Sequence, residues 1–257
     1  VNVGFPLSSA IAARIEELPS TGSTNADLRA RAGDAEWPHL SVLLTRNQTA
    51  GRGRLDRTWV APAGSSLAIS VLLRELPADP GARGWIPLAA GLAMAQAVAA
   101  QLPDHDVAVK WPNDVLVDGR KICGILAEAT TDSVIVGSGV NTAMTPEELP
   151  VPTATSFTVL GTEVDDDRLL SDYLRVLDGR LVALAAADDA VVSGLHAAVT
   201  DRCATLGLAV RASMPGGRVL EGTATALDRE GRLLVSIDGV EHAISAGDVV
   251  HVRPAGN

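Results

Sequence analysis

The sharpest constraint in this sequence is a change of pattern near Leu206. Upstream, runs with helical spacing are interleaved with β-rich runs. Downstream, only short strand-like runs remain, at 208–212, 219–227, 233–237, 240–244 and 249–252. Turn clusters separate them at Pro215-Gly216-Gly217, Asp228-Arg229-Glu230-Gly231, Asp238-Gly239 and Ala246-Gly247. The pattern predicts an α+β fold: residues 1–204 build a mixed or antiparallel sheet packed with helices, and residues 205–257 form a small SH3-like β-barrel. A chain of 257 residues suffices for one full-sized core and a small second unit.

Within the first unit, helices are expected over 9–17, 85–102, 167–187 and 189–200, and after Ser23, which reads as an N-cap. Strands are expected over 40–45, 66–73, 107–111, 115–117, 120–129 and 133–140. Asp118-Gly119 between two of these is a strong hairpin signal. Residues 46–64 have no apolar periodicity and carry several glycines and arginines, which reads as a long polar loop.

Hydrophobic residues make up 47% of the chain, yet charges and prolines interrupt them, and no run approaches the ~20 residues that a bilayer requires. The first residues show no basic segment followed by an apolar one, so a cytoplasmic protein without membrane contact is expected. Cys123 and Cys203 lie far apart without a CxxC partner, which argues against a disulfide scaffold or a zinc site. A formal charge of −10 disfavours binding to duplex DNA. Against that background, a local cluster of arginines must offset a specific negative charge.

Four segments carry chemistry. Gly51-Arg52-Gly53-Arg54-Leu55-Asp56-Arg57-Thr58-Trp59 combines glycines, which allow close backbone approach, with guanidinium forks that grip carboxylate and phosphate oxygens. A solvated arginine loop or an RNA-binding tail would read alike. Lys110-Trp111-Pro112-Asn113-Asp114 places a cation and a carboxylate beside a turn, and in isolation reads as a structural turn with a packed tryptophan. In Lys121-Ile122-Cys123-Gly124-Ile125-Leu126-Ala127-Glu128, strand alternation puts Lys121 and Cys123 on one face and Ile122 on the other. A lysine leading into an apolar strand needs an anion to neutralise. Finally, the glycines of Val136-Gly137-Ser138-Gly139-Val140-Asn141 mark either a bulge or room for a ligand.

With Ser23-Thr24-Asn25 upstream and Gln48 before the loop, these segments resemble the catalytic core of the biotin protein ligase family across residues 20–141. The family pattern is an STN-type start, a GRGR loop ending in tryptophan, KWPND, K-x-x-G-I-L-x-E and G-x-G-x-N, in that order. The resemblance implies a class II synthetase-like biotin/lipoate ligase catalytic domain followed by the small barrel. It implies an enzyme that uses ATP, biotin and Mg2+ to make biotinyl-AMP and pyrophosphate, then transfers biotin to a lysine of a biotin carboxyl carrier domain of acyl-CoA carboxylases.

By the same resemblance, Ser23, Thr24, Asn25 and Gln48 would hydrogen-bond the ureido end of biotin. Gly51, Arg52, Gly53 and Arg54 would wrap the carboxyl and phosphate region, with Arg57, Trp59 and Asn141 completing the binding set. Lys121 would be the key catalytic cation beside Arg52, Asp114 would serve the transfer step, and Gly124, Gly137 and Gly139 would leave space along the biotin wall. Protein ligands for magnesium are not legible, and a monomer or weak homodimer is expected. The chain departs from the family at Leu55 and Asp56, where a basic residue and a glycine are common, and at Cys123, where a smaller residue is usual.

Two competing readings differ in kind. Lipoate ligases share a K-x-x-G segment but lack KWPND and carry an Arg-Arg and triple-glycine run that is absent here. Some biotin ligases double as DNA-binding repressors through an N-terminal winged helix; only 22 residues precede Ser23 and none form a helix-turn-helix pattern, so no nucleic acid partner is expected.

Overall fold

Asp118 and Gly119 both adopt positive φ, 48° and 75°, the left-handed pair that a two-residue hairpin turn requires. They join β7 (Asp114–Val117) to β8 (Arg120–Ala129). The structure is a computed structural model and describes residues 4–55, 57–214 and 217–246, with the backbone of His251–Pro254. Within these residues, β7 and β8 join β1 (Arg14–Leu18), β2 (Ser41–Thr45), β5 (Ser66–Leu73), β6 (Val107–Lys110) and β9 (Val134–Asn141) in a seven-stranded sheet. Its order is β1-β2-β5-β9-β8-β7-β6, with β1 parallel to β2 and the other pairings antiparallel.

The two faces of this sheet differ because alternation along each strand sends different residue sizes to each side. Leu67, Ile69, Val71, Val136, Val140 and Ile125 face the main core, under α4 (Ile86–Ala99) and α5 (Asp166–Ala187). Eleven of the fourteen residues of α4 are buried, as expected of a helix that is apolar all round and lies between a sheet and a second helix. The other face carries α2 (Thr24–Arg31), whose Leu28 packs with Trp37, Leu43, Leu72 and Ile135 in a separate small cluster. Beside α2 the register aligns two rows of small residues: Gly124, Gly139 and Ala68 in one, and Gly137 and Ser70 in the other.

From Ala209 onward β10 (Ala209–Ser213), β11 (Val219–Leu227), β12 (Leu233–Ile237), β13 (Val240–Ile244) and β14 (His251–Pro254) form a five-stranded antiparallel sheet, ordered β13-β12-β11-β10-β14. Among the described residues no pairing joins β13 to β14. Its buried face, with Val210, Ala224, Leu233 and Val235, belongs to the same apolar cluster as the large sheet. The indole N–H groups of Trp85 and Trp111 donate to the carbonyls of Arg229 (2.7 Å) and Gly231 (3.0 Å), tying the two sheets together.

The α+β architecture agrees with the sequence, and several local expectations do not. Residues 9–17 are not a helix: α1 (Pro6–Ser9) is a single turn, and β1 follows it. Ile11, Ile15 and Leu18 mimic helical spacing, but pairing with β2 supplies backbone hydrogen bonds, and Glu16 and Glu17 find Arg14, Arg31 and Arg46. The expected helix over 189–200 is shortened to α6 (Leu195–Thr200). There the Asp189 carboxylate accepts the N–H groups of Val191 and Val192 and holds the preceding residues in a turn. Residues 46–64 are not wholly irregular: β3 (Gly51–Arg52) pairs with β4 (Thr58–Trp59). The last strand begins at His251, and Asp56, Pro215, Gly216, Gly247, Val249 and Val250 lie outside the described residues.

Candidate active site

The alternation expected for Lys121 fails at a β-bulge. Val115 pairs with Cys123 and Leu116 with Lys121, which leaves Ile122 as the extra residue. Ile122 and Cys123 therefore both enter the core, while Lys121 emerges on the small-residue face beside Gly124, where its Nζ lies 3.0 Å from the point a Cβ on Gly124 would occupy. Cys123 does not share the face of Lys121. Burial pushes its thiol up to about 12, which leaves it inert.

A cavity of roughly 170 Å³ lies on this face between the 51–59 loop, the N-terminus of α2 and the start of β7. Five of the chain's 21 lysines and arginines line it (Arg52, Arg54, Arg57, Lys110 and Lys121) against one acid, Asp114, so a chain of net charge −10 surrounds a locally positive cleft. Lys121 Nζ sits 2.5 Å from Asp114 Oδ1, and both side chains are largely shielded. Arg54 donates to Asn113 Oδ1 (3.3 Å) and to the carbonyl of Ala246, just beyond β13. Burial, followed by the neighbouring Arg57, pushes its guanidinium below the ordinary value, while Asp114 opposes the shift.

One wall is polar and tightly hydrogen-bonded. Ser23 caps α2, accepting from the Ala26 N–H (3.4 Å), and the Thr24 N–H and hydroxyl both donate to Gln48 Oε1 (2.9 and 3.1 Å). The Ser70 hydroxyl donates to Asn25 Oδ1 (2.6 Å) and lies 2.8 Å from Thr24 Oγ1. Asn25 Nδ2 donates to Glu128 Oε2 (2.8 Å) and the Leu126 carbonyl (3.3 Å).

The floor explains the strand glycines. The register of β9 runs unbroken against both neighbours, so Gly137 and Gly139 do not mark a bulge. A Cβ on Gly137 would lie 2.4 Å from Asn25 Oδ1, and one on Gly139 would lie 2.7 Å from the Trp59 ring, which also covers Gly124 at 3.1 Å. The indole thus occupies the floor, with Lys121 Nζ 5.6 Å from its ring centre. Among the described residues its N–H finds no acceptor, so lifting the ring breaks no hydrogen bond. Gly51 allows the loop to close: a Cβ there would meet Gln48 Nε2 at 2.5 Å and the Trp59 carbonyl at 2.7 Å.

Of the residues expected from the sequence, Ser23, Thr24, Asn25, Gln48, Arg52, Gly53, Arg54, Arg57, Trp59, Asp114, Lys121, Gly124, Gly137 and Gly139 come together around this one cavity. Gly51, the first residue of the loop, does not line the cavity, and Asn141 lies away from it, donating its amide to the Thr155 carbonyl (2.9 Å). Lys110 and Asn113 also line the cavity, and the sequence marks them only as members of the KWPND string.

The fold and cleft define a class before a family. Residues 17–141 match the biotin/lipoate A/B protein ligase family, and residues 205–252 match the biotin protein ligase C terminal domain. A biotin–[acetyl-CoA-carboxylase] ligase of Mycobacterium tuberculosis is 40% identical over 93% of this chain and 90% of its own length. The chain belongs to the biotin protein ligase family. Among solved structures, the Aquifex aeolicus biotin protein ligase in complex with biotin and ATP shares the fold at a TM-score of 0.78, with 24% identity over 95% of this chain and 100% of that one. The Leishmania major enzyme in complex with biotinyl-5-AMP is 27% identical over 91% of this chain and 99% of that one, with a TM-score of 0.61.

Proposed function

We propose that this chain is an ATP-dependent biotin ligase that forms biotinyl-AMP with release of pyrophosphate, then passes biotin to a lysine of a biotin carboxyl carrier domain of acyl-CoA carboxylases. The observation that carries the reading is the shared cavity of Lys121 and Arg52 at the end of a neutral, polar wall. Joining a carboxylate to a phosphate brings two anions together, and at about 4 Å with an effective dielectric near 20 that repulsion is about 4 kcal/mol per charge pair. Lys121 and Arg52 offset it and stabilise the charge that develops on the transferring phosphorus centre. Thr24 and Gln48, on the wall of α2, present the polar groups suited to the ureido ring, while Asn25 holds that wall in shape through Ser70 and Glu128.

A substrate lying along Gly124 and Gly139 must displace Trp59, which can then close over it and keep water from the mixed anhydride. In the transfer step the acceptor lysine must attack as a neutral amine. Asp114, already beside Lys121, is placed to orient the incoming ammonium and take its proton, while Lys121 steadies the departing AMP.

The cleft does not offer a magnesium cage. No group of three acidic, histidine or cysteine side chains that could hold a metal ion occurs among the described residues, and Asp114 is engaged by a cation. A magnesium ion would arrive on the nucleotide, held by phosphate oxygens and water, and no step here depends on a protein-held metal. No described helix is long and apolar enough to cross a membrane. We read the protein as cytoplasmic and as a monomer or weak homodimer, with residues 1–204 and 205–257 as its two units.

The test is incubation with ATP, labelled biotin and a biotin carboxyl carrier domain. Covalent label on the carrier, with pyrophosphate released by biotin and not by lipoate, is the expected result. Lipoate-dependent release without biotin-dependent release would replace the reading with a lipoate ligase.

A further inference from the structure

Glu128 was legible only as the end of a motif, yet its carboxylate is the point where the two halves of the cleft meet. On β8, with 18% of its side chain exposed, it accepts from Asn25 Nδ2 at 2.8 Å through one oxygen. Through the other it faces Arg29 Nη1 at 3.5 Å and Arg52 Nη2 at 3.7 Å. Arg29 is itself anchored by the Ala129 carbonyl at 2.8 Å. Two arginines thus share one carboxylate oxygen, Arg29 fixed from α2 and Arg52 brought in by the loop.

We propose that Glu128 is a positioning residue for adenylate formation: it aligns the Asn25 wall and tethers Arg52 over the cleft, so that closure of the 51–59 loop is coupled to the wall that receives the uncharged end of the substrate. The inference rests on the ligase reading above and adds a residue that never touches the reacting atoms. Its two functions are separable by chemistry. A glutamine keeps an oxygen for Asn25 Nδ2 but has no charge for Arg52.

Glu128→Gln should leave the KM for biotin within about twofold while adenylate escapes about three- to fivefold faster, the scale of one partly exposed ion pair. Glu128→Ala, which removes both contacts, should also raise the KM for biotin. Combining Glu128→Gln with Arg52→Ala should add nothing to Arg52→Ala alone, since the tether has then lost its other end. Limited trypsin cleavage after Arg52 reads the tether without any catalysis: Glu128→Gln should be nicked faster than the wild type. Arg29→Gln, an exposed change that leaves Glu128 with Arg52 as its remaining cation, should be nicked more slowly. A merely structural defect would not move the two variants in opposite directions. Unchanged trypsin cleavage in Glu128→Gln, multiplicative losses in the double variant, or parallel acceleration by both single variants would overturn the proposal. If the wild type releases no pyrophosphate with biotin, the ligase reading fails, while the trypsin comparison still decides whether Glu128 holds Arg52.

Discussion

The two faces of the seven-stranded sheet are made by the same strands and serve opposite ends. Toward α4 and α5, β5 and β9 present Leu67, Ile69, Val71, Val136 and Val140, all buried in the main core. Toward the N-terminus of α2 and the 51–59 loop, the alternate positions are Ala68, Ser70, Gly137 and Gly139, whose space is filled by Asn25 and Trp59, while Leu72 and Ile135 further along pack against Leu28. Large alternating residues give a sheet its core, whereas small ones at the intervening positions leave a trough that other elements must fill. Chemistry sits on the face that gives up packing.

The contrast can be broken by variants that ought to act on one face alone. Lys121→Ala, on the trough side, should reduce biotin adenylation by about a hundredfold or more, the scale of a lost charge stabiliser, with little change in melting temperature. Leu67→Ala, on the core side, should cost about 2–5 kcal/mol of unfolding free energy in a denaturant titration and leave the KM for biotin of the folded fraction near that of the wild type. Gly137→Ala tests the boundary. Its methyl would collide with Asn25, so a loss of about 1–3 kcal/mol should accompany weaker biotin binding in calorimetry.

The smallest effect belongs to neither face. Asp118, in the hairpin turn, is held below the usual carboxylate range by His105 and by the Asp106 N–H. A depressed carboxyl stabilises the fold above its unfolded value of about 3.9 and loses that contribution as pH falls through the lower folded value. Asp118→Asn should therefore melt slightly below the wild type near neutral pH, and the difference should vanish in acid.

Much of this was legible in residues close in sequence. The Asp118-Gly119 hairpin, the alanine-rich α4 and the Ser23 cap are local signals, and each formed as the local rules dictate. The ordered motifs located the cleft because each brings its own part of the wall. What escaped was decided at a distance. The edge strand β1 depends on β2, and the bulge at Ile122, which turns Lys121 toward the cleft, depends on the partner strand β7. Arg54 reaches a carbonyl 192 positions along the chain, and the Asn141 amide donates to the Thr155 carbonyl. Glu128 gathers side chains from α2 and from the 51–59 loop, a convergence that no spacing along β8 could announce.

The most direct measurement is a crystal structure with a non-hydrolysable biotinyl-adenylate analogue. The account predicts Trp59 lifted from Gly139, the ligand lying along the glycine floor, and both Lys121 Nζ and an Arg52 guanidinium nitrogen within about 3.2 Å of the phosphate or acyl oxygens. A ligand bound with its phosphate remote from both cations, or with the indole still seated on the floor, would contradict it.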